Sequence, residues 1–327
     1  MSRFFIPLEQ RVKQDIQQRG LLPAGATLLI ALSGGQDSWC LWHLLTTWQD
    51  HMHWQIKVLH CNHRWSEDEN RCAHFLQHYC QERGIPYALA TAETMTPQEA
   101  AARAWRYQQY ALWAEQWHCD RVVTGHTGSD WAETVLLNLI RGSGNAGLSS
   151  LTWQRPLAGS RILVRPLLRV WRSETAAYCQ RHQLPVWPDL SNQDRRYKRN
   201  RLRLDVLPYL QTHFNPQVEA ALVHHATLSA AEHDWVVLCA QSHWPAIYTE
   251  DPPRLHRSRL LALHPALQNQ ILWRFLRHHL PTTPGFEQVE WLKQLTTAPQ
   301  RSRTPPFPGG KWAEVEAEWL VLRAPSL

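Results

Sequence analysis

An apolar run of strand length, Thr27-Leu28-Leu29-Ile30-Ala31-Leu32, stops at Ser33-Gly34-Gly35-Gln36-Asp37-Ser38. It gives way to Trp39-Cys40-Leu41-Trp42-His43-Leu44-Leu45, which reads as a helix. A strand, a glycine-rich turn and a helix N-terminus in that order constrain this chain more than any other stretch. Glycines let backbone N–H groups come close to an anion, and the helix dipole favours negative charge at its start. The hydroxyls of Ser33 and Ser38 add donors, and Asp37 is placed to hold a hydrated Mg²⁺ beside a phosphate. An ordinary tight turn capped by Ser38 would use the same residues. The order strand, glycines, helix favours a phosphate cradle.

What surrounds this stretch is a chain of 327 residues, long enough for about two domains. No apolar run approaches the ~18 residues of a membrane span, and Met1–Gln10 lacks the apolar core of a secretory signal. A cytoplasmic protein with no membrane association is expected. The seven cysteines are scattered and form no Cys-x-x-Cys, against a disulfide framework or a zinc ribbon. A net charge of +6 and a pI near 9.0 suit a polyanionic partner. Of the eighteen tryptophans, most are expected in the core and a few against bases.

Strands alternate with helices along the first two thirds. Strands are expected at Thr27–Leu32, Gln55–His60, Pro86–Ala90, Asp120–Gly125 and Arg161–Leu168. Helices are expected in residues 1–26, at Ser38–Trp48, from the capping box Ser66-Glu67-Asp68-Glu69, from Thr96-Pro97-Gln98-Glu99, and at Asp130–Arg141 and Ser173–His182. This alternation predicts an α/β fold with a doubly wound, mainly parallel sheet. Ligands of such sheets bind outside the carboxyl ends of the strands, so Ser33–Ser38, His60–His63 and Gly125–Asp130 should share one rim. After Asn215-Pro216 the pattern becomes helical, over 216–247, 265–280 (Leu267, Ile271, Leu272, Phe275, Leu276) and 286–296 (Phe286, Val289, Leu292, Leu295), with a hairpin at Trp312–Leu322. The division is therefore 1–215, an α/β nucleotide-type domain, and 216–327, a smaller, mainly helical domain.

Four further clusters carry chemistry. His60-Cys61-Asn62-His63-Arg64 ends a strand; its spacing fits no zinc template, so nucleotide or RNA contact is the better reading. Arg103 and Arg106 share a helix face with Tyr110, Trp113 and Trp117, either as a solvated basic face or as a guanidinium pair aimed at phosphate or a base. In Gly125-His126-Thr127-Gly128-Ser129-Asp130-Trp131-Ala132-Glu133, the carboxylates of Asp130 and Glu133 lie on one side of a helix start. There they would complement the dipole or bind a cationic group or Mg²⁺. Arg141-Gly142-Ser143-Gly144 closes that helix. Last, Arg195-Arg196-Tyr197-Lys198-Arg199-Asn200-Arg201-Leu202-Arg203 is a basic run more suited to phosphate or RNA than to bare solvent.

Ser33–Ser38 resembles the PP-loop of the N-type ATP pyrophosphatases, which cleave ATP to AMP and pyrophosphate. Further motifs narrow it. His60–Arg64, Ala102–Tyr107, Gly125–Thr134, Arg141–Gly144, Arg165–Leu168 and Arg199–Arg203 follow the order and spacing of the tRNA(Ile)-lysidine synthetases, from about Leu28 to Pro216. The resemblance implies a two-step ligation of free L-lysine to C2 of the wobble cytidine in a CAU anticodon of tRNA(Ile), driven by ATP and Mg²⁺. It implies that Ser33, Gly34, Gly35, Gln36, Asp37 and Ser38, with His60, Asn62, His63, Gly125 and His126, hold the nucleotide, and that Asp37 holds Mg²⁺. Asp130, Glu133 and Arg203 would hold lysine. Arg103 and Arg106 would stabilise the activated cytidine or its phosphates. Arg141, Arg195, Arg196, Lys198, Arg199 and Arg201, with the helical domain, would grip the tRNA. The family commonly has a second aspartate where this chain has Ser129, so no acidic role passes to that position. The oligomeric state stays open, a homodimer included. Two rivals remain: another PP-loop tRNA-modifying enzyme such as a thiolase, which the scattered cysteines disfavour, and a non-catalytic RNA-binding protein on the same fold, which the intact loop disfavours.

Overall fold

The computed structural model describes residues 7–93, 99–148, 151–188 and 194–325. They form two compact units, residues 1–227 and 228–327. The first begins with α1 (Leu8–Gln18), β1 (Thr27–Ala31), α2 (Gln36–Met52), β2 (Gln55–Asn62), α3 (Glu67–Glu82), β3 (Tyr87–Thr91), α4 (Glu99–Gln116), β4 (Arg121–Thr124) and α5 (Gly128–Ile140). It continues with α6 (Asn145–Leu148), β5 (Gln154–Pro156), β6 (Ile162–Val164) and α7 (Arg172–Arg181). Helix α8 (Lys198–Arg201) then runs through a π-helical segment, Leu202–Val206, into α9 (Leu207–His213), and α10 (Val218–Ile247) follows. The expected cap Thr96-Pro97-Gln98 lies outside the described residues.

The sheet has six strands in the order β3-β2-β1-β4-β6-β5, all parallel except β5, which pairs antiparallel with β6. Strand β1 is central, and its side chains alternate between two cores. Leu28 and Ile30 join Trp39, Leu41 and Leu45 of α2, Val12 and Ile16 of α1, and Leu76 of α3 on one face. Leu29 joins Leu59, Val122, and Tyr110 and Ala114 of α4 on the other. A strand buried on both faces must be apolar throughout, which is why Thr27–Leu32 reads as an unbroken hydrophobic run. The chain order reverses between β1 and β4, and the crevice at such a switch point is where sheets of this kind bind ligands.

Two strands differ from expectation. The fifth was expected over Arg161–Leu168; β6 covers only Ile162–Val164, because Pro166 has no N–H to continue the ladder. The short, polar β5 offers no hydrophobic alternation to read. The border between the compact units falls inside α10, where Leu222, Val223 and Ala226 pack with Trp131, Ala132, Val135 and Leu168.

The second unit adds β7 (Tyr248–Thr249), β8 (Arg254–His256), α11 (Arg257–Leu261), α12 (Pro265–His279), α13 (Phe286–Leu295), β9 (Trp312–Glu316) and β10 (Trp319–Arg323). The hairpin β9–β10 belongs to a four-stranded antiparallel sheet, β7-β8-β10-β9. Ile271, Leu272, Phe275 and Leu276 of α12 pack with Val289, Leu292 and Leu295 of α13 and with Ala313, Val315, Leu320 and Leu322 of the sheet. Phe286, expected on the apolar face, is exposed at the first position of α13. Among the described residues, no helix is long and apolar enough to cross a membrane.

Candidate active site

The loop after β1 is built to let other backbone come close. Gly34 has φ +88°, and a Cβ there would lie 2.6 Å from the Cys72 sulfur. Gly125, at the end of β4, meets the same loop from the other side: a Cβ would sit 2.9 Å from the Asp37 carbonyl oxygen and 3.0 Å from the Ser38 nitrogen. Glycine at these two positions is a packing requirement of the crevice. The Ser38 hydroxyl donates to the Gly35 carbonyl at 2.8 Å and accepts from the Ser33 backbone at 3.2 Å, so this hydroxyl braces the loop. Helix α2 begins at Gln36, and its first N–H groups have no partner within the helix.

Helix α7 clamps this turn. The Gln36 side-chain amide donates to the Arg172 carbonyl at 2.8 Å and to Thr175 Oγ1 at 3.0 Å. Thr175 also donates to Asp37 Oδ1, and the Trp187 N–H donates to the Gly34 carbonyl at 2.9 Å. Burial, reinforced by the nearby Asp130 charge, pushes the Asp37 carboxyl above its ordinary range despite Arg172 beside it.

Helix α5 supplies the carboxylates. Thr127 caps it, and Asp130 completes the capping box: its Oδ2 accepts from the Thr127 N–H and hydroxyl, each at 2.9 Å. Oδ1 is left to face the guanidiniums of Arg172 and Arg199. Arg172 donates from Nη2 to Asp130 Oδ1 at 2.9 Å and from Nη1 to Glu133 Oε1 at 2.8 Å, with Nε 3.5 Å from Asp37 Oδ2. Arg199 reaches Glu133 Oε2 at 2.7 Å and Asp130 Oδ1 at 3.1 Å, and Arg203 reaches Glu133 Oε1 at 2.7 Å. Three guanidiniums thus face the carboxylates of Asp37, Asp130 and Glu133. Burial works against the charge of Asp130, but Arg199 and Arg172 outweigh it and hold the group well below its usual range; Arg203 and Arg199 do the same for the buried Glu133.

The other expected residues fall into three groups. His60, Asn62 and His126 are tied into the scaffold. His60 Nδ1 bonds the Leu32 carbonyl at 2.8 Å, Asn62 accepts from the Arg64 N–H at 2.8 Å, and His126 Nδ1 bonds Thr124 Oγ1 at 2.9 Å. Burial drives His126 down to about 3 and His63 down to about 4, so both are neutral imidazoles near pH 7. His63 stacks on Trp65 with ring centres 4.8 Å apart. Arg106 is exposed, and Arg103 lies against Tyr107. Of the basic residues expected on RNA, Arg199 instead enters the carboxylate cluster. Arg195 and Arg196 pair with Asp205 and Asp194, and Arg141, Lys198 and Arg201 are exposed. Among the described residues no group of three or more His, Cys, Asp or Glu side chains is arranged to hold a metal.

Sequence reasoning missed Arg172, which touches all three carboxylates. A signal was present. Glu174, whose carboxylate accepts from the Trp171 N–H at 2.9 Å, fixes the helix start and puts Arg172 at its first position. A cation there opposes the helix dipole and so calls for anions nearby. Ser129, which stands where a second aspartate was expected, is buried; its hydroxyl accepts from the Arg172 backbone at 3.2 Å and bonds Glu219.

Residues 7–210 match the PP-loop domain family. The tRNA(Ile)-lysidine synthase of a Synechococcus sp. is 54% identical over 319 residues, 96% of this chain and 98% of that protein. The enzyme of the same name from Gloeobacter violaceus is 45% identical over 303 residues, 93% of each chain. Among solved structures, the U34-tRNA thiolase NcsA of Methanococcus maripaludis superposes with a TM-score of 0.55 at 19% identity, over 68% of this chain and 78% of that one, a likeness of fold. With a parallel sheet whose switch point carries the PP-loop, and near-full-length identity to these relatives, the chain belongs to the tRNA(Ile)-lysidine synthase family of PP-loop enzymes.

Proposed function

We propose that this protein uses ATP to join free lysine to the wobble cytidine of a CAU-anticodon tRNA(Ile). In the first step the C2 oxygen of the cytidine attacks the α-phosphorus of ATP, and the bond to pyrophosphate breaks. In the second the ε-amine of lysine attacks C2, and AMP leaves with the oxygen. The product, lysidine, would change codon reading from AUG to AUA and charging from methionine to isoleucine. The observation that supports this reading is the bridge at the switch point: Arg172 links the PP-loop aspartate to the Asp130–Glu133 pair. A nucleotide's phosphates and an ammonium substrate would then meet within one side chain's reach.

The loop amides and the start of α2 would hold the leaving pyrophosphate. The half-buried Asp37, whose carboxyl is raised by desolvation and by Asp130, is a group that a further cation would relieve, so Mg²⁺ fits there. When bound, that ion would neutralise charge on the pyrophosphate. Asp130 and Glu133 would take the ammonium of lysine in exchange for part of their arginine contacts, while Arg203 turns to its carboxylate. Held ionised by arginines, these two acids are suited to orient lysine more than to deprotonate it. The domain containing α10 and the exposed Arg141, Lys198 and Arg201 would hold the tRNA.

The test incubates the protein with ATP, Mg²⁺, radiolabelled lysine and CAU-bearing tRNA(Ile). Label in the RNA, with AMP and pyrophosphate released, supports the reading. AMP formation without lysine transfer would point to another PP-loop chemistry.

A further inference from the structure

A second set of arginines lies within the first unit, and among the described residues none of it is paired with an acid. Strands β5 and β6 form an antiparallel edge pair with Arg155 opposite Leu163, and the Arg165 N–H continues the ladder to the Trp153 carbonyl at 2.9 Å. Helix α4 presents Arg103 and Tyr107, one turn apart and so on one face. All three arginines converge on the phenol. Arg165 Nη2 and Arg103 Nη2 each lie 3.4 Å from its oxygen, and the Arg155 guanidinium carbon lies 4.2 Å from the ring centre. Among the described residues, the side-chain acceptors of Arg103 and Arg165 are this phenol and the Thr152 carbonyl, 2.6 Å from Arg165 Nη1.

Such an arrangement is unfinished. Arg165 is 1% exposed, and the Nε atoms of Arg155 and Arg165 are buried with no hydrogen-bond partner. A buried donor without an acceptor costs free energy, and three like charges around one neutral ring repel. The field shows on the phenol: burial alone would raise Tyr107, yet Arg103 and Arg165 bring it below its ordinary value. A structural staple explains the Arg165 contact with Thr152 but not the Nε atoms or Arg155. His126 feels the charges of Asp130 and Arg199 as well as those of Arg165 and Arg103, which puts this group beside the carboxylate cluster.

The geometry points to an anion site: Arg103, Arg155 and Arg165 take one phosphate group, which displaces the Tyr107 phenol as the acceptor of Arg103 and Arg165. Planar guanidiniums with open N–H donors suit a phosphate monoester or diester. The phosphate comes either from the RNA backbone or from the nucleotide, an assignment of source that rests on the function proposed above.

Two probes separate the sources on the full chain: ATP with Mg²⁺, and a stem-loop RNA carrying a CAU loop, each titrated by calorimetry at several salt concentrations. Arg155→Gln is expected to weaken one probe about tenfold. If that probe is the RNA, the slope of log affinity against log salt should fall by about one. Arg155→Lys, which keeps the charge but loses the planar fork, should restore only part of the affinity. Tyr107→Phe removes the competing acceptor and should leave binding unchanged or tighter. Unchanged affinity for both probes in Arg155→Gln, with thermal melting showing a folded protein, overturns the site. So does a loss in Tyr107→Phe as large as in Arg155→Gln, which would mark a structural staple. None of these readouts involves lysine, so a wild-type protein that fails to transfer lysine leaves this test intact.

Discussion

At the residue scale the site depends on balanced charge. Glu133 is 1% exposed and meets three guanidiniums. Removing one member of a buried ion cluster leaves uncompensated charge, typically about 3–5 kcal/mol. Glu133→Gln should therefore lower the urea midpoint by that order without changing the slope of the transition. Gly125→Ala should act differently, because its new Cβ would press on the Asp37 carbonyl. Overpacking costs about 1–3 kcal/mol, and a shifted loop should slow adenylation of the RNA by roughly 10²-fold, read by release of pyrophosphate. Acid sensitivity follows from the desolvated imidazoles. The folded His126, lowered to about 3, refuses a proton that the unfolded chain accepts below its ordinary 6.5, so stability is lost as pH falls through that window. Asp130 and Glu133, held down by their arginines, lose stability only as pH falls below their ordinary 3.8 and 4.5. Asp37, raised, works in the opposite direction. Chemical unfolding between pH 4 and 7 should show stability rising with pH, and His126→Asn should flatten that rise.

At the element scale, local chemistry decided which features could be read in advance. The strand β1 and its glycine turn are dictated by burial on both faces and by close approach, and both constraints are written into adjacent residues. The start of α5 carries its own cap, Thr127 with Asp130, although the first helical residue is Gly128 and not Asp130. Arg172 and Arg199 were harder, since their partners come from other elements and sequence spacing says nothing of which face meets which. The basic run Arg195–Arg203 illustrates this: a helix that follows the run turns Arg199 and Arg203 toward the acids and leaves Lys198 and Arg201 exposed. Strand β5 was invisible because three residues at a sheet edge, Gln154, Arg155 and Pro156, need only the backbone of β6. The cap of α5 offers a direct check. Thr127→Ala should cost about 1 kcal/mol as a lost N-cap, and Thr127→Ser should recover it in thermal melts.

At the scale of the whole molecule, an α/β unit carrying the PP-loop is followed in sequence by a unit of helices and a small antiparallel sheet, in a chain of net charge +6. Binding of tRNA should weaken steeply with salt, and neutralising Lys198 and Arg201 together should lower the slope of log affinity against log salt by about two. A slope unchanged from wild type would place the RNA elsewhere. The central claim is that the carboxylates bridged by Arg172 to the PP-loop receive lysine while ATP activates the RNA. Its most direct measurement is the transfer of radiolabelled lysine to CAU-bearing tRNA(Ile), alongside pyrophosphate release, in the wild type and in Asp130→Asn. The account predicts lysine-labelled tRNA from the wild type, and from Asp130→Asn pyrophosphate release on adenylation of the RNA that persists while lysine transfer, and AMP release with it, falls by at least about tenfold, the loss of one charged contact. Lysine transfer by Asp130→Asn at the wild-type rate and lysine concentration dependence would contradict it.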